Sequence, residues 1–398
     1  MVLENILILM PMFVSLFWAM NLCFTKKQNI TKKYLAFFLF VSTLNYFTHA
    51  LFFNREYGLF AFFDNIWFFT SLGSYPLYYY YIRLLTKDEK INLKYSWILA
   101  PAVLMSAFSF TLYFSMSPQE SDTYIRGIMY HELNVEGPYT TLLYLQKVKY
   151  VMFKVIFALQ VALTFIYGRK LILEFNSKVT EFYSNTSGKN LSVVNQILSV
   201  FIFTSVISLF SSTLGKDFFI GQGWMLAIPS VTHSVFLFWI GYVGFYQDFT
   251  IKDFNIDTLA PTDECVRTNN ESEIEDDESL YQNGNKSRII TELDKLMTDD
   301  KMFKNSDVRI SDLVTILGTN RTYLSQIINE EKKMNFCEWI NSYRAEYAKS
   351  ILEDASFVDL TIIEISEMSG FSSRSVFYRV FKDTYGVSPG NYRNQTLS

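Results

Sequence analysis

The side chains best suited to chemistry are thinly spread along this chain of 398 residues. Its three cysteines, Cys23, Cys265 and Cys337, are far apart and match neither a disulfide framework nor the paired spacing of a zinc site. We therefore expect unreactive thiols in a reducing compartment. The sequence has no constellation typical of a catalytic centre, so we expect no enzyme, no bound metal and no cofactor.

Two charged residues, Asp64 and Lys154, lie in stretches that are otherwise apolar. Charges inside a membrane are costly and often functional. Because the two lie at similar predicted depths, one interpretation is an intramembrane polar site formed by this pair. The alternative is that Lys154 reaches the outer interface while Asp64 faces water within the bundle.

Seven apolar stretches precede residue 250, and each has the roughly 20 residues that cross a bilayer as a helix. They are continuously apolar, which favours helices over a barrel. Residues 1–248 are therefore predicted to form a seven-helix transmembrane bundle with a sensing role. The predicted spans lie near Asn5–Phe24, Tyr34–Phe53, Leu59–Leu85, Tyr95–Met116, Tyr150–Leu171, Leu191–Thr213 and Trp224–Tyr246.

Basic residues favour the odd-numbered loops between these spans. The first, third and fifth loops hold four each, whereas the second and sixth hold one each, Arg55 and Lys216. Cytoplasmic loops carry such an excess, which predicts a bacterial inner-membrane protein with its N-terminus outside and its C-terminus in the cytoplasm. The fourth loop, near residues 117–149, is either a ligand-sensing segment or a plain connector.

The bundle does not match two common classes of membrane protein. Retinal binding needs a lysine in the last span, and the seventh span has none. Paired half-helix repeats, typical of transporters, do not stand out. An enzyme or transporter would depend on Asp64, His49 and His233, the remaining candidates within the spans.

An acidic segment follows the bundle. Between Asp263 and Glu278 it carries eight acidic residues against the single Arg267. Low hydrophobicity with a run of like charge predicts disorder, so residues 249–286 are expected to be a flexible linker. It is either a solvated spacer or a cover for basic residues that face DNA.

From residue 287 the pattern predicts two helix-turn-helix motifs in series. In the first, Ser311 is the expected N-cap, Gly318 ends the helix, and Thr319 or Asn320 caps the next one. Leu313, Val314 and Leu317 face inward, followed by Tyr323, Leu324, Ile327 and Ile328.

In the second motif, Thr361 and Glu364 form a capping box, Gly370 turns the chain and Ser372 caps. One long helix joins the two motifs. Its predicted buried stripe consists of Phe336, Ile340, Tyr343, Tyr347 and Ile351.

The segment "EISEMSGFSSRSVFYRVFKDTYGVSPGNYR" is far more specific than a lone helix-turn-helix pattern. With it, residues from about 288 to 395 resemble the DNA-binding domain of the AraC/XylS family of bacterial regulators. The resemblance implies that the second helix of each motif enters the major groove, with the two helices about 34 Å apart. It implies base contacts by Arg321, Thr322, Ser325, Gln326, Arg374, Ser375 and Arg379. It also implies phosphate contacts by Ser372, Lys382 and Arg393.

The charge balance of this segment departs from that of most DNA-binding domains. From Lys286 to the end there are 15 basic and 16 acidic residues, whereas DNA-binding domains usually have a basic excess. We therefore expect that two chains pair when they bind DNA.

Together these patterns predict a membrane-bound one-component transcription regulator that responds to an envelope or membrane signal. Its expected partners are promoter DNA, the bilayer, RNA polymerase, a second copy of the chain and an unknown ligand. The alternatives are a membrane transporter or enzyme whose tail regulates its own operon, and a tether that anchors DNA without sequence preference.

Overall fold

The computed structural model describes residues 2–26, 28–134, 139–214, 217–219, 223–259 and 278–397. Helices make up the regular structure of these residues, apart from an isolated bridge between Tyr183 and Arg309. The predicted all-α class is confirmed. The chain divides into two compact bodies. We call Met1–Leu173 with Leu191–Ile251 the apolar unit, and Glu174–Asn190 with Lys252–Ser398 the C-terminal unit.

The long helices of the apolar unit overlap the seven predicted spans, and the helix that contains Tyr150–Leu171 extends well beyond that span at both ends. Their bounds, with one short helix α5 among them, are α1 Val2–Phe24, α2 Ile30–Phe53, α3 Tyr57–Thr86, α4 Ala100–Ser115, α5 Pro118–Asp122, α6 Thr141–Phe182, α7 Ser192–Leu214 and α8 Gly223–Tyr246. Among the described residues, six helices are long and apolar enough to cross a membrane. The long helix outside that set is α3, which has 30 residues but is rich in tyrosine.

Several helices of the apolar unit that are neighbours in the chain pack together, and the first also packs against the last. Helix α1 packs against α2 and α8, α2 packs against α3, and α7 packs against α8. Two glycines of α8 make the closest approaches: Gly241 faces the Trp18 indole and Gly244 faces Leu35, and a Cβ at either position would overlap its neighbour. Small residues at such interfaces let helix backbones approach closely.

The C-terminal unit contains the helices that follow the apolar unit. Their bounds are α9 Ile251–Leu259, α10 Glu278–Thr298, α11 Ile310–Leu317, α12 Arg321–Lys332, α13 Phe336–Glu353, α14 Ile362–Met368, α15 Arg374–Tyr385 and α16 Pro389–Leu397. Of the predicted flexible linker, residues 260–277 lie outside the described residues. On either side of them the chain is helical.

The observed division of the chain differs from the sequence-based boundaries, which assigned 1–248 to the bundle, 249–286 to the linker and 287–398 to the DNA-binding domain. Residues 174–190 and 252–259 belong to the C-terminal unit. The physical reason is aromatic packing: the ring of Phe254 in α9 lies 5.6 Å from that of Phe182 at the end of α6. The boundary between the two units therefore falls within α6.

Candidate DNA-binding surface

The first helix-turn-helix motif consists of α11 and α12. Gly318 joins them with a φ of +61°, a left-handed conformation that glycine adopts without strain. Of the two predicted caps of α12 the structure uses Asn320, whose side chain accepts a hydrogen bond from the Tyr323 amide at 2.8 Å. Ser311 is not the N-cap of α11. The helix begins at Ile310, so the cap is one residue before it.

The second motif consists of α14 and α15. The predicted capping box is present: the Thr361 amide donates to the Glu364 carboxylate at 2.7 Å, and the Glu364 amide donates to the Thr361 hydroxyl at 3.2 Å. Ser372 does not cap α15. The helix follows Ser373, whose side chain makes no capping hydrogen bond.

Gly370 forms the turn of the second motif with a φ of +83°. A Cβ at this position would overlap the backbone of Phe303 and Lys304. The turn therefore packs directly against the segment that precedes the first motif. Both the backbone angle and this contact require glycine.

The residues predicted to contact bases lie on the solvent side of α12 and α15. The side chains of Arg321, Thr322, Gln326, Arg374, Ser375 and Arg379 are exposed, and Ser325 is half-buried. The opposite faces are buried through Leu324, Ile327, Ile328, Phe377 and Phe381. Of the predicted phosphate contacts, Ser372 and Lys382 are exposed and Arg393 is half-buried. These positions leave the predicted side chains available to DNA.

Two of these side chains have partners within their own helix. The Arg374 guanidinium lies 5.0 Å from the Tyr378 ring and donates to its hydroxyl at 3.3 Å. The Gln326 amide donates to the Glu330 carboxylate at 2.7 Å. Gln326 must break that bond before it can form a bidentate contact with adenine.

Lys286 compensates the acidic end of α12. Its ammonium lies 3.1 Å from the Glu330 carboxylate and 2.8 Å from that of Glu331. Hydrogen bonds from Gln326 and Lys286 lower the pKa of Glu330, which therefore remains ionised at neutral pH. The sequence did not predict this contact of Lys286, because no local pattern links residues so far apart.

Helix α13 connects the two motifs. It has 18 residues, which corresponds to about 27 Å. Of its predicted stripe, Phe336, Ile340 and Ile351 are buried, whereas Tyr343 and Tyr347 are half-buried. The tyrosines keep their hydroxyl ends near solvent, as is usual for amphipathic rings.

Helix α13 also buries a charged residue that the sequence analysis did not identify. The Arg344 side chain is 1% exposed and donates to the carbonyls of Phe303 and Asn305, each at 2.8 Å, and to the Asn341 side chain at 3.1 Å. Burial lowers the pKa of Arg344 to about 10, so the guanidinium is still charged at neutral pH. Buried charges require such hydrogen bonds.

The remaining partner of Arg344 comes from the segment that follows α6. The guanidinium donates to the Ser184 hydroxyl at 3.1 Å, and the Cys337 thiol donates to the Ser184 carbonyl at 3.3 Å. The Ser184 hydroxyl in turn donates to the Val308 carbonyl at 2.6 Å. Burial raises the pKa of Cys337 to about 11, which keeps the thiol protonated.

Tyr183 and Asp257 complete this arrangement. The Tyr183 hydroxyl donates to the Asp257 carboxylate at 2.6 Å, and the Arg309 guanidinium lies 3.2 Å from the same carboxylate. Burial, followed by the hydrogen bond to Asp257, raises the pKa of Tyr183. We call the contacts of residues 182–185 with α9, residues 303–309 and α13 the α6 junction.

The two polar residues predicted within the apolar unit are not brought together. Asp64 lies 3.5 Å from the ammonium of Lys149, and both side chains are fully buried. Tyr113 and Tyr150 each donate to Asp64 at 3.2 Å. Lys149, which the sequence analysis placed in the fourth loop, thus lies within α6, and Lys154 lines a cavity instead.

The C-terminal unit contains the residues that match known proteins. Residues 313–395 match the family model described as a helix-turn-helix domain. The HTH-type transcriptional regulator YtdP of Bacillus subtilis is 34% identical over 93 residues, which is 23% of this chain and 12% of that protein. The Msm operon regulatory protein of Streptococcus mutans is 31% identical over 90 residues, which is 23% of this chain and 31% of that protein.

Among solved structures, the C-terminal domain of AraT, a response regulator from Geobacillus stearothermophilus, is 28% identical, with a TM-score of 0.23. It covers 28% of this chain, and the match spans 83% of that structure. The chain spans less than a third of the length of the curated relatives named above. The family model and the curated relatives confirm the resemblance stated from the sequence: the chain carries an AraC-type helix-turn-helix domain at its C-terminus.

Proposed function

We propose that this chain, with its C-terminal AraC-type domain, is a membrane-bound one-component transcription regulator. It binds DNA sequence-specifically and responds to an envelope or membrane signal. One observation carries the proposal: six helices long and apolar enough to cross a membrane share a chain with this domain. Such a chain can act on transcription while it remains fixed at the site of the signal.

Helix α6 is the element that carries the signal. It has 42 residues, which corresponds to about 63 Å, or twice the roughly 30 Å of the hydrocarbon core. It contributes residues to both units, and its end forms the α6 junction with the DNA-binding domain. A displacement of α6 would therefore change the contacts of Arg344 at the centre of that domain.

The protein acts in the bacterial inner membrane, with its N-terminus outside and the AraC-type domain in the cytoplasm. This orientation requires seven crossings, so α3 crosses the membrane together with the six more apolar helices. The distribution of basic residues among the loops supports this orientation. Because acidic and basic residues are nearly balanced in the DNA-binding domain, two chains bind neighbouring sites together. RNA polymerase is the expected partner at the promoter.

Selection of DNA duplexes from a random library by the full chain in nanodiscs tests this function. We expect recovery of a defined motif that spans roughly two helical turns. The R374A/R379A double variant should recover no motif, whereas the control K349A, changed on α13, should recover the same motif as the native chain. Recovery without sequence preference would contradict the proposal and support a DNA tether.

A further inference from the structure

The apolar unit contains a cavity of about 470 Å³. Its walls come from helices α1, α2, α3, α6, α7 and α8, together with Ile128, Met129, His131 and Phe219 from the segments between them. The volume lies in the range of small-molecule sites, roughly 300–1,000 Å³. The chemistry of the lining therefore identifies the kind of molecule that fits.

One end of the cavity is aromatic. The Phe201 ring of α7 stacks on Phe236 of α8 at 5.0 Å and on Tyr75 of α3 at 4.9 Å. Phe157 of α6 lies 5.0 Å from the same Tyr75. These rings form an apolar floor suited to a hydrocarbon chain.

Other residues of the cavity lining are polar. Ser208 of α7 and His233 of α8 are hydrogen-bonded at 2.8 Å. Ser208 lies about two turns from Phe201 along α7, and His233 lies about one turn from Phe236 along α8. Further along α7, Ser211, Ser212 and Thr213 also line the cavity. Lys154 of α6 also lines the cavity, one turn before Phe157.

Lys154 has no carboxylate within ion-pair distance in the part of the chain that the structure describes. In contrast, Lys149 on the same helix pairs with Asp64. A lysine in an apolar environment is costly unless an anion accompanies it. The cavity thus combines an aromatic end, hydroxyl groups and a cation for which the described residues supply no counter-ion.

We infer that the cavity binds an aliphatic carboxylate, such as a medium-chain fatty acid, with its head at Lys154 and its tail against Phe157, Phe201 and Phe236. A single lysine with hydroxyl donors matches a monoanion, whereas a phosphate dianion calls for further cations. The inference rests on the proposed function, since it names the class of ligand that the apolar unit senses.

The test is saturable binding of radiolabelled decanoate to the full chain in nanodiscs, with empty nanodiscs subtracted. We expect Lys154→Gln to weaken binding about tenfold or more, because it removes the counter-ion of a desolvated carboxylate. Lys154→Arg should retain binding within a few-fold. The control Lys147→Gln removes an exposed cation from the same helix and should leave binding unchanged. Equal affinity of the native chain and Lys154→Gln would overturn the inference.

Competition distinguishes the carboxylate from other occupants. Unlabelled decanoate should displace the label, whereas decanol, which has the same tail and no charge, should compete at least tenfold less well. Equal competition by decanol would overturn the inference and identify a neutral lipid chain as the occupant.

A second measurement requires no variant. Decanoate with a diazirine near its methyl end should label the native chain at Phe157, Phe201 or Phe236. Labelling confined to exposed residues such as Phe203 and Val206 would overturn the inference. Both measurements are made without DNA, so failure of the ligand site and failure of DNA recognition are separate results.

Discussion

Arg374 and Arg379 are the residues on which sequence recognition most depends in this account. Both are exposed on α15, on the side opposite the buried Phe377 and Phe381. An arginine can donate two hydrogen bonds to guanine, and α15 carries two exposed arginines, whereas α12 carries one, Arg321. The second helix-turn-helix motif should therefore contribute most of the specificity for guanine.

Arg379→Ala should weaken binding to the selected duplex by about 1–3 kcal/mol, because one bidentate base contact is lost. Fluorescence anisotropy at fixed salt measures the change, with Lys349→Ala as the matched control. If Arg374→Ala and Arg379→Ala together leave the affinity unchanged, the assignment of these base contacts is wrong.

Glu330→Gln should strengthen DNA binding a few-fold at low salt, because it removes an anion from the predicted DNA-reading helix and replaces the charged acceptor of Gln326 with a weaker neutral one. The same titration in increasing salt should reduce the gain, since exposed charges are screened. Glu367→Gln, at an exposed position of α14, serves as the control. Weaker binding by Glu330→Gln would show that its bond to Gln326 orients that amide for DNA.

At the scale of the elements, the turn of the second motif depends on Gly370. Gly370→Ala should destabilise the C-terminal unit by about 2–4 kcal/mol, from backbone strain and from overlap with Phe303 and Lys304. Gly386 has a φ of +77° and open space around it, so Gly386→Ala should cost about 1 kcal/mol from strain alone.

Urea unfolding followed by Trp339 fluorescence compares the two glycine variants. Trp339 is the sole tryptophan after residue 239, so changing the other five to phenylalanine leaves a signal that comes from the C-terminal unit. An equal decrease in the free energy of unfolding for the two variants would show that overlap with residues 303–304 adds nothing to the cost of Gly370→Ala.

The rate of alkylation of the Cys337 thiol reports on whether the α6 junction is intact. Its thiol is buried against the Ser184 carbonyl, with a pKa raised to about 11, so alkylation at pH 8 should be slow. Ser184→Ala removes the hydroxyl that bonds Val308 and Arg344, and should raise the alkylation rate about tenfold.

The alkylation rate is measured in a chain with Cys23 and Cys265 changed to alanine. The control Ser187→Ala alters an exposed hydroxyl in the same segment. Below pH 11 the rate in the native junction should rise about tenfold per pH unit as thiolate forms. An unchanged rate in Ser184→Ala would mean that the junction does not protect the thiol.

Local chemistry accounts for what could be predicted from the sequence at this scale. The capping box of Thr361 and Glu364, the turn glycines and the apolar periodicity are all specified within a few residues. The burial of Arg344 was not predictable, because its partners lie at Phe303 and at Ser184, which is 160 positions away. The N-cap of α11 is Arg309, two residues before the predicted Ser311, and that of α15 is Ser373, one residue after the predicted Ser372. Sequence patterns locate helix ends only to within one or two residues.

At the scale of the whole molecule, hydropathy identified the long helices, and the composition of α3 explains why it falls outside the strongly apolar set. The position of the boundary within α6 was not predictable, because a helix that serves two units has no break in its periodicity. The pairing of Asp64 with Lys149 was also not predictable from the sequence. The start of the predicted span was set at Tyr150 from polarity alone, so Lys149 was assigned to the preceding loop.

Reporter fusions test the proposed orientation. A fluorescent protein fused after residue 398 should fluoresce, and alkaline phosphatase at the same position should be inactive, because both reporters distinguish the cytoplasm from the periplasm. Alkaline phosphatase inserted near Ser121, in the fourth loop, should be active. The reverse pattern would place the DNA-binding domain on the wrong side of the membrane.

Genome-wide mapping of sites bound by the full-length chain in its native host tests the central claim most directly: a membrane-fixed protein recognises particular DNA sequences. The account predicts a limited set of promoter sites that share one motif, recovered with the uncleaved chain from the membrane fraction and lost in the R374A/R379A variant. Occupancy spread evenly over the genome, or the same sites in that variant, would contradict it.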